Sequence, residues 1–234
     1  LELYSSQIKK LLEGESLWIS CQDLEIQWLA QECADESRIL IPSQSALRQI
    51  AKPKIQAASS LPVSIPEYIP TTRPAFELYG FCRKYGWPVW CKGPNYEARS
   101  CWNWQEVYQA ISELHETWSS FELSLQTNVS GREETVAFCA YRGRLLDFVH
   151  MEKRTQTHEG KVWTGRITDV DQSLLGSLEN LVAELKWTGG AELEFIRNER
   201  DELNLIEWNP RFPAWIYGAT LAGHNLPARL VEAA

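Results

Sequence analysis

The chemistry-bearing residues of this chain concentrate in one segment, Ala191-Glu-Leu-Glu-Phe-Ile-Arg-Asn-Glu-Arg-Asp-Glu-Leu-Asn-Leu-Ile-Glu-Trp-Asn209. Two runs of alternating apolar and polar residues flank the charged turn Glu199 to Glu202, the pattern of a β-hairpin. If the turn closes with four residues, Asn198 faces Leu203, Glu194 faces Glu207 and Glu192 faces Asn209. Side chains alternate across a strand, so Glu192, Glu194, Glu207 and Asn209 then share one face. Leu193, Phe195, Ile206 and Trp208 occupy the other, as core residues should. Directly opposed residues have Cβ atoms about 5 Å apart, and like charges there repel unless a proton or a cation lies between them. Carboxylate and amide oxygens suit Mg²⁺, a hard cation. The competing possibility is a hairpin whose carboxylates are simply hydrated, and a one-residue slip would send all four groups to the opposite face. Asn209-Pro-Arg211 sets a guanidinium just past the last candidate ligand, where it can stabilise charge developing on a polyphosphate.

Positioning these groups requires a scaffold. The N-terminal part reads as short strands between helices: helix Leu1 to Leu12, strand Leu17 to Ser20, helix Leu24 to Glu32, strand Ile39 to Ile41, and a helix capped by Ser43 from Gln44. That is a partial α/β layer over residues 1–58. Residues 59–74 carry repeated prolines and read as an extended linker. A helix from Ala75 to Tyr85 follows, closed by Gly86, then the strand Pro88-Val-Trp-Cys-Lys92 and a helix from Trp104 to His115. Phe121 to Leu125 reads as a half-buried strand, Gly131 as a turn, and Thr135 to Tyr141 and Leu145 to His150 as strands. The charged stretch Glu152 to Lys161 reads as a mobile loop, Leu174 to Leu185 as an amphipathic helix, and the residues after Ala214 as one or two helices.

Composition narrows the function classes. The 234 residues carry 31 Asp+Glu against 23 Lys+Arg, a net charge of −8, which excludes sequence-independent nucleic-acid binding. No apolar run approaches the roughly 18 residues of a membrane span, and no signal-peptide pattern opens the chain. The cysteines (Cys21, Cys33, Cys82, Cys91, Cys101 and Cys139) form no C-x-x-C pair and read as reduced, mostly buried and cytosolic, so the expected location is the cytoplasm. Because the chain begins at Leu1 rather than Met, it reads as a portion or processed product of something longer. His150, Glu152 and His158 lack the tight spacing of a metal cluster. Nucleophile-elbow, Walker and dinucleotide motifs are absent.

With these motifs in view, the chain resembles the ATP-grasp superfamily, most closely its biotin-carboxylase and carbamoyl-phosphate-synthetase branch. Four segments carry the resemblance in order: Gly86-Trp-Pro-Val-Trp-Cys-Lys92, the strand–turn–strand from Leu125 to Val136, Glu194 within Glu-Leu-Glu-Phe195, and Ile206-Glu-Trp-Asn-Pro-Arg-Phe212. The implied fold is α+β: a lid subdomain (about 75–126) and a catalytic subdomain (about 127–234) clamp ATP, preceded by the partial α/β layer. The resemblance implies that Lys92 reaches the α- and β-phosphates and that Lys54, or Lys52, is the earlier phosphate-contacting lysine. It implies that Gln126, Asn128 and Val129 lie in the adenine-binding hinge and that Glu133, with Glu134 as substitute, binds the ribose. Glu194, Glu207 and Asn209 are the implied ligands of one or two Mg²⁺ ions, with Mn²⁺ as a replacement, and Arg211 the catalytic arginine. The loop 93–100 holds one glycine where many relatives carry a glycine-rich flap. The implied activity is an ATP-dependent ligase that converts a small-molecule or peptide carboxylate to an acyl-phosphate for attack by an amine or thiol. Neither nucleic acid nor membrane is an expected partner, and a homodimer is, since relatives are often dimers. The alternative is a non-catalytic ATP-binding or partner-binding module of a larger assembly.

Overall fold

A computed structural model describes residues 16–33, 37–52, 54–94, 97–118, 122–156, 162–169 and 171–234. Two antiparallel sheets organise it. The four-stranded sheet has the order β1-β4-β2-β3, from Tyr68–Pro70 (β1), Val89–Lys92 (β2), Ala98–Cys101 (β3) and Ser124–Thr127 (β4). The five-stranded sheet has the order β7-β6-β5-β8-β9, from Arg132–Tyr141 (β5), Arg144–Gln156 (β6), Val162–Thr168 (β7), Gly189–Arg197 (β8) and Leu203–Asn209 (β9). Helices Asp23–Glu32 (α1) and Gln44–Ile50 (α2) precede both sheets, and Ser43 Oγ caps α2 by accepting the Ala46 N–H at 3.3 Å.

Helices Ala75–Tyr85 (α3) and Trp104–Thr117 (α4) pack on the four-stranded sheet, burying Leu78, Cys82, Val107 and Leu114 against Val89, Cys91 and Leu125. Helix Gln172–Glu184 (α5) contributes Leu174, Leu178, Leu181 and Val182 to the core beneath one face of the five-stranded sheet, with the ring cluster of Phe138, Trp187 and Trp208. Helix Leu226–Ala233 (α7), which follows the short Ile216–Leu221 (α6), covers part of the other face: Leu226 and Leu230 join Ala137, Cys139, Val149 and Phe212. The remaining part of that face is polar, and the site occupies it.

Several elements differ from the sequence expectation. The strands expected at Leu17–Ser20 and Ile39–Ile41 reduce to one parallel bridge, Trp18 to Ile39. A 3₁₀ turn, Gln56–Ser60, follows α2. The stretch 59–74 is tied to both sheets, through β1 and through a bridge from Ser64 to Asn204. Of the expected charged loop, Glu152 to Gln156 extends β6 instead, paired to β7, a strand the sequence pattern did not reveal. Charged residues survive in that strand because Glu152 is ion-paired to Arg154 and Arg166. Residues 157–161, His158 among them, and the expected helix Leu1 to Leu12 lie outside the described residues.

Gly131 joins the sheets at the start of β5. A Cβ there would run into the carbonyl of Arg197 on β8. Gly131→Ala should therefore lower stability by about 1–3 kcal/mol, the range for overpacking a close approach, read as a drop in thermal midpoint. An unchanged midpoint would show that this crossing relaxes freely.

Candidate active site

Strands β5, β6, β8 and β9 place two rungs of side chains side by side. One runs Met151, Thr135, Glu194, Glu207; the next runs Val149, Ala137, Glu192, Asn209. The opposed pairs expected from the hairpin are thus the observed ones, although the turn is not the expected one. Arg197, not Asn198, pairs with Leu203, so the loop holds residues 198–202. A one-residue bulge at Ile206 then restores the pairing of Glu194 with Glu207. Ile206, expected in the core, is the bulged residue and only half-buried.

Two lysines meet the repulsion between the facing carboxylates. Lys52 Nζ lies 2.6 Å from Glu207 Oε1. Lys153 Nζ hydrogen-bonds Glu194 Oε2 and stands 3.5 Å from Glu133 Oε2. Burial works against the Lys153 ammonium, but Glu194, Glu133 and Glu192 together hold its pKa above the ordinary lysine value. Burial and the neighbouring Glu194 raise the Glu192 carboxyl, which accepts hydrogen bonds from Thr135 Oγ1 at 3.0 Å and Trp215 Nε1 at 2.8 Å. Asn209 Nδ2 donates to Glu194 Oε1 at 3.2 Å and to Glu192 Oε2 at 3.5 Å, which orients the amide.

Lys92 arrives from the other sheet. Its Nζ donates to the carbonyl of the bulged Ile206 at 3.5 Å, bringing the end of β2 against β9. Desolvation draws its pKa down to about 8 and Lys52 adds to the fall, while Glu207 and Glu194 pull it back up. Arg211 Nε donates to Asp23 Oδ2 on α1 at 3.0 Å, and its Nη1 lies 3.8 Å from Glu192 Oε2. Asp23 is 4% exposed, and its other oxygen has no partner among the described residues. Lys52, Glu207, Asn209 and Asp23 border a cavity of about 350 Å³ that reaches Pro94 on one side and helices α1 and α2 on the other.

No cluster of three or more His, Cys, Asp and Glu side chains with metal-ready geometry occurs among the described residues. The donor set nevertheless fits Mg²⁺, which takes one or two protein carboxylates and completes its shell with phosphate oxygens and water. Glu207 supplies one carboxylate, and the Asn209 amide oxygen would be a further protein ligand.

No protein-family model matches the sequence, and no curated protein matches it. Solved structures match its fold. Campylobacter jejuni biotin carboxylase, in complex with β,γ-ATP, superposes with a TM-score of 0.74 at 14% identity, covering 95% of this chain and 55% of that one. The biotin carboxylase domain dimer of Hydrogenobacter thermophilus 2-oxoglutarate carboxylase, with MgADP, ADP and bicarbonate, gives 0.66 at 16% identity, covering 88% and 50%. Thermotoga maritima N5-carboxyaminoimidazole ribonucleotide synthetase gives 0.63 at 18% identity, covering 93% and 57%. The fold is ATP-grasp. The chain spans about half the length of these structures.

Within this ATP-grasp fold the other sequence-predicted residues separate. Residues 128–131 connect the two sheets. Gln126 is buried in β4, opposite Trp90 and Tyr68, so it belongs to a strand rather than to the connecting segment. Asn128 is exposed and accepts the Trp90 indole N–H at 3.0 Å; Val129 is half-buried. Glu133 reaches the carboxylate face through Lys153. Lys54 is exposed, and Lys52 is the lysine that meets Glu207. The sequence could not rank the two, because Lys52 and Lys54 lie outside any helix and no periodicity assigns their faces. Asp23 was missed altogether, and Lys153 was not assigned to this face. Lys153 lay in the supposed loop, and Asp23 looked like an ordinary first-turn helix acid.

Glu134, weighed as a substitute for Glu133, faces the opposite way. Arg197 Nε and Nη2 grip its two oxygens at 2.8 and 3.0 Å, and His150 Nε2 lies 3.1 Å from Oε2. Burial alone would raise this carboxyl, but the hydrogen bonds from His150 and Arg197 hold it down at about 2. A carboxyl depressed from 4.5 to about 2 contributes stability that is fully present above pH 4.5 and lost as pH falls through 2. Glu134→Gln should therefore cost on the order of 2–3 kcal/mol between pH 5 and 8. Denaturant melts should show that difference shrinking below pH 4.5, and a pH-independent difference would contradict the ion-pair origin.

Proposed function

We propose that this chain binds ATP with Mg²⁺ and uses it to convert a carboxylate into an acyl-phosphate that an amine or another nucleophile attacks. The observation that carries the proposal is the convergence of Lys92, Lys52, Glu207, Asn209 and Arg211 where β2 of one sheet meets β9 of the other. An ion held through Glu207 and Asn209 would supply charge neutralisation for a triphosphate. Lys92 and Lys52 add point charges for phosphate oxygens. Arg211, held by Asp23, offers a guanidinium to the transferred phosphoryl group. Glu133 is the ribose-binding candidate, and Asn128 and Val129, with Gln126 on the strand before them, are the candidates for the adenine side. The open cavity beside Glu207 provides room for the carboxylate and its acceptor. Residues 75–126 and 127–234 act as lid and catalytic subdomains, and the cytoplasm is the proposed location. No helix among the described residues is long and apolar enough to cross a membrane.

Structural neighbours that carry ATP or MgADP and bicarbonate support the reading. The test is a coupled assay for ADP release with Mg²⁺, or Mn²⁺ in its place, over a panel of bicarbonate, amino acids and short peptides, with amines and thiols as acceptors. ADP release that depends on one carboxylate supports a ligase. A thermal shift with Mg-ATP but no turnover on any pair favours a non-catalytic nucleotide-binding module, for which the exposed rings of Phe76, Trp102, Tyr108 and Trp163 are the candidate partner contacts. Absence of any nucleotide effect overturns both.

A further inference from the structure

We propose that this site takes one divalent cation, held through Glu207 and Asn209, and that the Lys153 ammonium stands at Glu194 in place of a second. The inference rests on the ATP-and-magnesium function proposed above and concerns how many ions that function uses. The two facing carboxylates are not equivalent. Both oxygens of Glu194 are engaged, Oε2 by Lys153 and Oε1 by the Asn209 amide at 3.2 Å. Lys153 projects from the C-terminal part of β6, its side chain is 6% exposed, and Glu133 holds it from the other side at 3.5 Å. An ammonium fixed in a paired strand between two carboxylates has no nearby solvent to retreat to, and removing its partner would strand a buried charge. A second divalent ion at Glu194 would also sit beside that ammonium and be repelled by it.

Glu207 differs on each count. Its side chain is 24% exposed and borders the open cavity. Its partner Lys52 lies outside any helix or strand, so the lysine can follow a phosphate while the carboxylate turns to an ion. Lys153 thus neutralises Glu194 from a fixed place in the sheet, whereas the cation at Glu207 arrives with the nucleotide. On this basis free Mg²⁺ binds weakly, and the ion enters as the nucleotide complex.

Mn²⁺ titration followed by electron paramagnetic resonance tests this on the full chain, with and without the non-hydrolysable β,γ-imido analogue of ATP. With analogue, the wild type should bind one Mn²⁺ per chain, and at least tenfold more weakly without it. Lys153→Met should bind two, because Glu194 is released; Lys153→Arg, which keeps the cation, should bind one. Two Mn²⁺ per wild-type chain overturns the inference, as does a single Mn²⁺ in a folded Lys153→Met. Should that variant not fold, the wild-type stoichiometry still decides. Failure to bind the analogue at any metal concentration overturns the ATP function as well, whereas analogue binding with two ions overturns this inference alone.

Discussion

Glu207→Gln should fold with an unchanged circular dichroism spectrum and thermal midpoint, yet lose Mg²⁺-dependent ATP turnover by on the order of 10²–10³. The side chain is partly exposed and its close charged contact among the described residues is Lys52, 2.6 Å away, which glutamine can still meet through its carbonyl. Glutamine also relieves the repulsion with Glu194 across the strand pair, so no loss of stability is expected. What disappears is the anionic oxygen that draws a hard cation to this rung. Steady-state ADP release at saturating Mg²⁺ measures the effect. Turnover within threefold of wild type would remove Glu207 from the site.

Arg211→Ala should be damaging in a second way. Arg211 neutralises Asp23, whose side chain is 6% exposed and whose Oδ1 has no partner of its own among the described residues. Truncating the arginine leaves a buried carboxylate uncompensated, a change worth about 3–5 kcal/mol in comparable pairs. Activity should fall by on the order of 10²–10³ as the guanidinium is lost. Asp23→Asn separates the two effects. It keeps a hydrogen-bond acceptor for Arg211 Nε, abolishes the buried charge and loosens the guanidinium. Its stability loss should be smaller than that of Arg211→Ala, and its defect should appear in kcat more than in KM. A double variant no less stable than Arg211→Ala alone would show that the two residues act as a unit. A wild-type kcat in Asp23→Asn would show that Asp23 matters only for folding.

Alternation and spacing made most of the carboxylate face legible. Period-two patterning over 191–197 and 203–209 is a local property, and it is enough to group Glu192, Glu194, Glu207 and Asn209 on one side. Helix ends were legible where one residue closes them, as Gly86 closes α3 and Ser43 opens α2. The register came out as expected through two cancelling departures, a longer turn and the bulge at Ile206. A bulge depends on what lies across the strand and is not encoded in hydrophobic alternation. The bulge also presents the carbonyl to which Lys92 donates.

The pairing of charges could not be read in the same way. Lys153 seemed to belong to a solvated loop because a charged stretch has no hydrophobic period, and only the neighbours supplied by β5, β7 and β8 make a strand there tolerable. Lys52 and Asp23 meet Glu207 and Arg211 across 155 and 188 residues of chain. Local chemistry thus settled which carboxylate and amide side chains share a strand face. Chain folding alone settled which cations answer them, because a salt bridge between distant segments leaves no periodic trace in either one.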